Sequence, residues 1–185
     1  DEIEQKKKVL ESLQSDISSR KNKIIELDDQ ILLQEFALYE PKYDFQSADE
    51  YKARLQDVRK NQKEMIRAGS ATTGFTNWTV NGNEAQGRKM IKDMQKLLLR
   101  AFNSECDEVV DKVKYNTFDS AKKRITTSYE AISKLGAVMG ISISEPYYNS
   151  KIDELTIALE YRIKKQEEKE RQKELRAQMR EEAKL

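Results

Sequence analysis

An apolar residue returns at every seventh position from Ile3 through Leu10, Ile17, Ile24 and Ile31 to Leu38, and Leu13 and Leu27 fill intervening d positions of the same heptads. A 3.5-residue apolar period held over this length puts one seam along one long helix, and such a seam is buried by a second helix. The spacing predicts a coiled coil over residues 1–38. It makes Ile3, Leu10, Leu13, Ile17, Ile24, Leu27, Ile31 and Leu38 the oligomerisation face of a homo-oligomer. Lys6, Arg20 and Gln34 occupy the other d positions, where polar side chains weaken the seam and select register or oligomer state. The alternative is a long helix packing on its own domain.

Pro41 ends this pattern, because it lacks an amide donor and biases Glu40 away from helix. An aromatic turn follows, with Tyr39, Tyr43 and Phe45 placed to cover the edge of a core. Ser47 with Glu50 three residues on predicts a capped helix whose inward stripe is Tyr51, Leu55, Val58, Gln62 and Met65. Arg59, Lys63 and Arg67 fall on its opposite face. Residues 70–87 are rich in Gly, Thr and Asn, and predict a small β-hairpin or an irregular loop with Asn81-Gly82 as its turn. Trp78, the sole tryptophan, reads as a lid on the core, against the alternative of a base-stacking platform, and its loop as a site for a protein partner.

From about Gly87 to Lys114 a longer helix is expected, with Met90, Met94, Leu97, Leu98, Ala101 and Val109 buried. The next helix presents Phe118, Ala121, Ile125, Tyr129, Ile132 and Leu135 inward and stops at Gly136. Ser144 and Pro146 then open the last helix. Its stripe of Ile152, Leu155, Leu159 and Ile163 gives way to a charged segment, 161–185, which reads as a solvated rod leading to a further C-terminal domain. With six Gly, two Pro and 36% charged residues, the expected fold is mainly α: a coiled-coil helix over 1–38, a helical core over 39–160 and a charged rod beyond it.

Histidine is absent and Cys106 is the sole cysteine, which removes Ser-His-Asp catalysis, the commonest zinc ligand and any internal disulfide. The single cysteine suits a reducing, cytoplasmic setting for this segment, and no run approaches the ~20 apolar residues that span a bilayer. GNEAQGRK imitates a phosphate loop, but Arg88 replaces its lysine and Lys89 its Ser or Thr, so an NTPase is rejected. Glu105, Asp107, Glu108 and Asp111 spread over different helix faces and form no expected metal site. No cofactor, metal or small-molecule substrate is expected, and no catalytic residue is assigned.

Lys89, Lys92, Lys96 and Arg100 share one narrow stripe, with Arg88 beside it. These five are the candidate nucleic-acid contacts, against the alternative of an outer face neutralised by Asp93, Asp107 and Asp111.

The strings LLQEFALYEPKYDF at 32–45, TNWTVNG at 76–82, LLLRAFNSECD at 97–107 and GISISEPY at 140–147 resemble the domain of unknown function that precedes GIY-YIG-type nuclease domains in bacterial and phage proteins. The resemblance covers residues 30–185. It implies an accessory module of a DNA-cutting protein active in defence against phage, in which the module holds an oligomer, recognises a phage or membrane partner, or grips DNA. It also implies a full-length endonuclease that is in some members tethered to the inner membrane. The nuclease's own strand signatures and their catalytic Arg and Glu are missing here, so none of its residues is carried over. Within the matched strings, Tyr39, Tyr43, Phe45, Trp78, Asn103 and Glu105 are the candidates for partner contact or architecture.

Overall fold

The computed structural model describes residues 2–35, 42–74 and 77–183, with side chains in the first stretch described over residues 4–23. The chain divides into two compact units, residues 1–40 and 41–185. In the first unit α1 spans Glu2–Glu35. Every described side chain from 4 to 23 is exposed, including the seam residues Leu10, Leu13 and Ile17 at 59%, 56% and 51%. Ile3, Ile24, Leu27, Ile31, Leu38 and Tyr39 lie outside the described side chains.

The second unit is helical apart from one short β ribbon, which gives the mainly α fold expected. α2 (Ala48–Arg67) is capped by Ser47, whose Oγ accepts the Glu50 amide at 3.3 Å, while the Glu50 carboxylate accepts the Gln46 amide at 2.8 Å. The reciprocal bond thus reaches one residue further out than in the usual capping box. The small β element near 70–87 is present, but its partner comes from far along the chain. β1 (Thr72–Thr73) pairs antiparallel with β2 (Ser142–Ile143), Thr72 opposite Ile143. Asn81 and Gly82 both take positive φ, 51° and 77°, inside a tight turn closed by a Val80–Asn83 bridge. That is the conformation for which Asn-Gly is suited.

α3 (Glu84–Lys112) begins before Gly87, because Asn83 Oδ1 accepts the Gln86 amide at 3.1 Å and caps it there. Gly87 serves a different purpose: a Cβ at that position would lie 1.6 Å from the Trp78 carbonyl oxygen. The 77–80 segment can cross the first turn of α3 only over a glycine. The inward face of α3 is Ile91, Leu98, Phe102, Cys106, Val109 and Val110. Leu98 and Val109 are buried as expected, but the rest of the expected face is corrected, since Met90 and Leu97 are 44% and 60% exposed, Ala101 is exposed and Met94 is half-buried. The helix carries two apolar stripes, and the one containing Phe102 and Ile91 turns inward.

α4 (Phe118–Gly136) buries Ala121, Ile125 and Ile132 as expected, whereas Leu135 is 75% exposed. Gly136 is no terminal cap. It is helical, with φ −77°, and is required because the Ile141 carbonyl passes 2.3 Å from where its Cβ would stand. A 3-10 turn, Ala137–Met139, continues the chain, and Gly140 at φ 68° makes the left-handed reversal.

α5 (Glu145–Glu182) starts where predicted: Ser144 Oγ accepts the Tyr147 amide, and Pro146 lies in the first turn. Residues 154–160 are buried without a break. α2 lies along α5, α3 packs on α4, and α5 touches both α3 and α4. The core is therefore centred on Leu155, Ile157 and Leu159, surrounded by Phe102, Ile125, Ile141, Ile143 and Tyr147. Burial of each large apolar side chain stabilises the unit by about 1.5–3 kcal/mol. Side chains from 169 to 183 are exposed. Among the described residues no helix is long and apolar enough to cross a membrane.

Candidate functional site

Three surfaces and two polar arrangements on α5 are the candidates for function. The first surface is the apolar stripe of α1, where Val9 at 58% exposure joins Leu10, Leu13 and Ile17.

The second is the basic ridge of α3. Lys89, Lys92, Lys96 and Arg100 are all exposed, and among the described residues none of the four has an ion-pair partner. Arg88 differs, pairing with Glu84 one turn back at 3.5 Å. The Gly87 amide donates to the Asn83 carbonyl, so the backbone beside Arg88 offers no free donor to an anion. The neutralising acids are engaged elsewhere in part: Asp107 lies 3.7 Å from Lys151.

A cleft between α3 and α4 is the third, about 750 Å³ in volume. Its walls hold Ser104 and Glu105 from α3 and Ser120, Lys123, Arg124, Thr127 and Ser128 from α4, over a floor of Ala101, Ala131 and Ile132. Arg124 reaches Glu105 at 3.6 Å and Glu108 at 2.8 Å. The Lys112 ammonium, followed by Arg124, holds the Glu108 carboxyl below its ordinary value. Glu105 and Glu108 are thus fastened to cations, and the described residues contain no cluster of acids, histidines or cysteines arranged for a metal ion.

Of the remaining candidates, Asn103, Tyr43 and Phe45 make contacts within the domain. Asn103 Oδ1 accepts the Tyr147 hydroxyl at 2.6 Å. Tyr43 stacks on Phe45 with ring centroids 5.5 Å apart, and Phe45 meets Tyr51 edge-on at 4.9 Å. Trp78 is half-buried. Cys106 is fully buried, and desolvation pushes its thiol up to about 12, which leaves it protonated and unreactive.

Sequence reasoning missed two arrangements centred on α5. In one, carboxylates hold the 42–48 segment: Glu160 accepts the Lys42 and Tyr43 amides, Asp153 pairs with the Lys42 ammonium, and Glu168 accepts the Ala48 amide at 2.7 Å. In the other, Glu154 accepts from Arg59 Nε at 2.8 Å and Gln62 Nε2 at 3.0 Å, and lies 3.2 Å from the Lys151 ammonium. Burial alone would raise the Glu154 carboxyl, but Lys151, Arg59 and Gln62 outweigh it and the pKa is lowered. Burial likewise works against the Lys151 ammonium, yet Glu154 and Asp107 leave its pKa raised. The only sequence signal was ionisable residues next to the apolar stripe of Leu155 and Leu159, and a solvated helix face gives the same signal.

The family model of the SNIPE-associated domain matches residues 48–166, from the first residue of α2 to well along α5. The chain belongs to the SNIPE-associated-domain family. SNIPE domains are accessory rather than catalytic and are associated with GIY-YIG-type nucleases, which agrees with the resemblance carried by the internal strings. The match is narrower than residues 30–185. It excludes α1, the 42–47 turn and the distal part of α5, and it takes in the buried network, the ridge and the cleft. No curated protein and no solved structure matches the chain.

Proposed function

We propose that this SNIPE-associated domain is a non-catalytic interaction and oligomerisation module of a GIY-YIG-type nuclease that acts in defence against phage. α1 joins copies of the protein through its heptad seam, the helical unit recognises a phage or membrane partner, and α5 positions the nuclease. The observation that carries this reading is the exposure of Val9, Leu10, Leu13 and Ile17, each above half, on a helix with strict heptads. Such a stripe is unfavourable in water and is covered in a coiled coil. Light scattering of the full chain against the triple variant Leu10→Asp, Leu13→Asp, Ile17→Asp tests it. The intact chain should be oligomeric and the variant monomeric; equal masses at high concentration would refute the reading.

A second reading, nucleic-acid binding through the α3 ridge, is favoured by one observation. Lys89, Lys92, Lys96 and Arg100 carry no ion pair among the described residues, which leaves their charge available to an anion. Binding of a DNA duplex at low salt that weakens when these four are changed to Glu would support it. Absence of binding by the intact chain would remove it.

A further inference from the structure

The α3 ridge does not end at Arg100. Lys92, Lys96, Arg100 and Ser104 follow one another at four-residue steps, and each step turns about 40° around the helix while rising ~6 Å. The row therefore winds from the outer face of α3 into the α3–α4 cleft, whose wall includes Ser104. Across the cleft α4 presents Lys123, Thr127 and Ser128, while the Ser120 hydroxyl is committed to the Thr117 carbonyl at 2.9 Å. Hydroxyls and cations of this kind are the groups that hold phosphate oxygens. Lys123 and Thr127 are exposed, and Lys123 has no ion-pair partner among the described residues. The one acid in the wall, Glu105, is matched by Arg124. Asp93, Asp107 and Asp111 on α3 and Asp119 and Glu130 on α4 are the acids that oppose the field; Asp107 is drawn to Lys151, and none of the five lines the cleft.

We propose that the α3–α4 cleft is a phosphate-backbone site that continues the ridge, so that one strand of a duplex runs along Lys92, Lys96 and Arg100 and enters the cleft between Ser104 and Lys123. The ~6 Å between successive ridge residues is close to two base-pair rises of ~3.4 Å along the duplex axis. With no exposed tryptophan, tyrosine or phenylalanine in the cleft wall, base stacking of the kind single-strand binders use has no platform there. The site holds the backbone without reading sequence. It rests on the nucleic-acid reading of the ridge and adds the wall of α4 to it.

The test uses the full chain and a fluorescent 20-base-pair duplex titrated over a range of salt concentrations. Two variants are compared, Lys123→Gln with Thr127→Val in the cleft and Lys92→Gln with Lys96→Gln on the ridge; all four positions are exposed, and thermal melts verify that the fold is kept. The cleft variant should bind several-fold more weakly, with the slope of log K against log salt reduced by about 0.9 for its one lost cation. The ridge variant should lose about twice that slope. A cleft variant with wild-type affinity and slope, beside a weakened ridge variant, would overturn the cleft while leaving the ridge. No duplex binding by the intact chain would overturn both. Binding of polyglutamate in place of the duplex would assign the surface to an acidic protein and also overturn the proposal.

Discussion

Arg59 of α2 and Glu154 of α5 are joined by a 2.8 Å bond between Nε and Oε1, although they lie 95 residues apart in sequence. Glu154 is 4% exposed in its side chain, and Lys151, its other ionic partner, 5%. The family match begins and ends on the two helices this bond connects. Removing Lys151 leaves Glu154 with Arg59 and Gln62 still in place, whereas removing Glu154 leaves the buried Lys151 ammonium with only Asp107 at 3.7 Å, and a buried charge so poorly compensated costs far more than the intact pair contributes.

Glu154→Met should therefore destabilise the domain by about 3–5 kcal/mol, read as a lower urea midpoint. Arg59→Ala should cost less, because Arg59 is half exposed. Equal, small effects of both would show that the network is solvated.

The same group sets a pH dependence. The Glu154 pKa is lowered, so its contribution is present above the ordinary carboxylate range and is lost as pH falls below it. The Lys151 pKa is raised, so its contribution is present below about 10.5 and is lost as pH rises through the folded value. Urea midpoints should hold between these limits and fall outside them; Glu154→Gln should flatten the acid side.

Gly87→Ala and Gly136→Ala should each destabilise by more than the ~1–3 kcal/mol typical of overpacking, since in both cases backbone rather than a movable side chain occupies the space. Trp78 fluorescence should report the first change, because its own carbonyl is the atom displaced. At Gly69 the added Cβ meets nothing, so only the positive φ of 73° is strained and a loss of about 1 kcal/mol is expected.

Glu160→Gln should weaken the hold on residues 42–43, whose amides share its carboxylate. A cost of about 1–3 kcal/mol is expected, with faster proteolytic cleavage near residue 42 than in the intact protein.

These predictions mark where the sequence could be read and where it could not. The helix starts at Ser47 and Ser144 and the Asn81-Gly82 turn were legible, because each depends on a few neighbouring residues. The inner face of α3 was not. Met90, Met94, Leu97 and Ala101 keep helical spacing as well as Ile91, Leu98, Phe102 and Cys106 do, and only the packing against α4 and α5 chooses between them. Gly87 and Gly136 looked like a phosphate loop and a helix stop for the same reason, since the backbone that crosses each is remote or outside the local pattern. Glu154 and Glu160 were not singled out by the sequence, because nothing local distinguishes a carboxylate bonded to a distant arginine or amide from one in water. Of the candidate surfaces, the basic ridge was legible from spacing, whereas the cleft depends on α3 and α4 lying side by side.

The central claim is self-association through α1. Sedimentation equilibrium of the full chain, beside the variant Leu10→Asp, Leu13→Asp, Ile17→Asp, tests it most directly. The account predicts a multiple of the 21.6 kDa chain mass for the intact protein and a folded monomer for the variant. A monomeric intact chain, or an oligomer unaffected by the three substitutions, would contradict it.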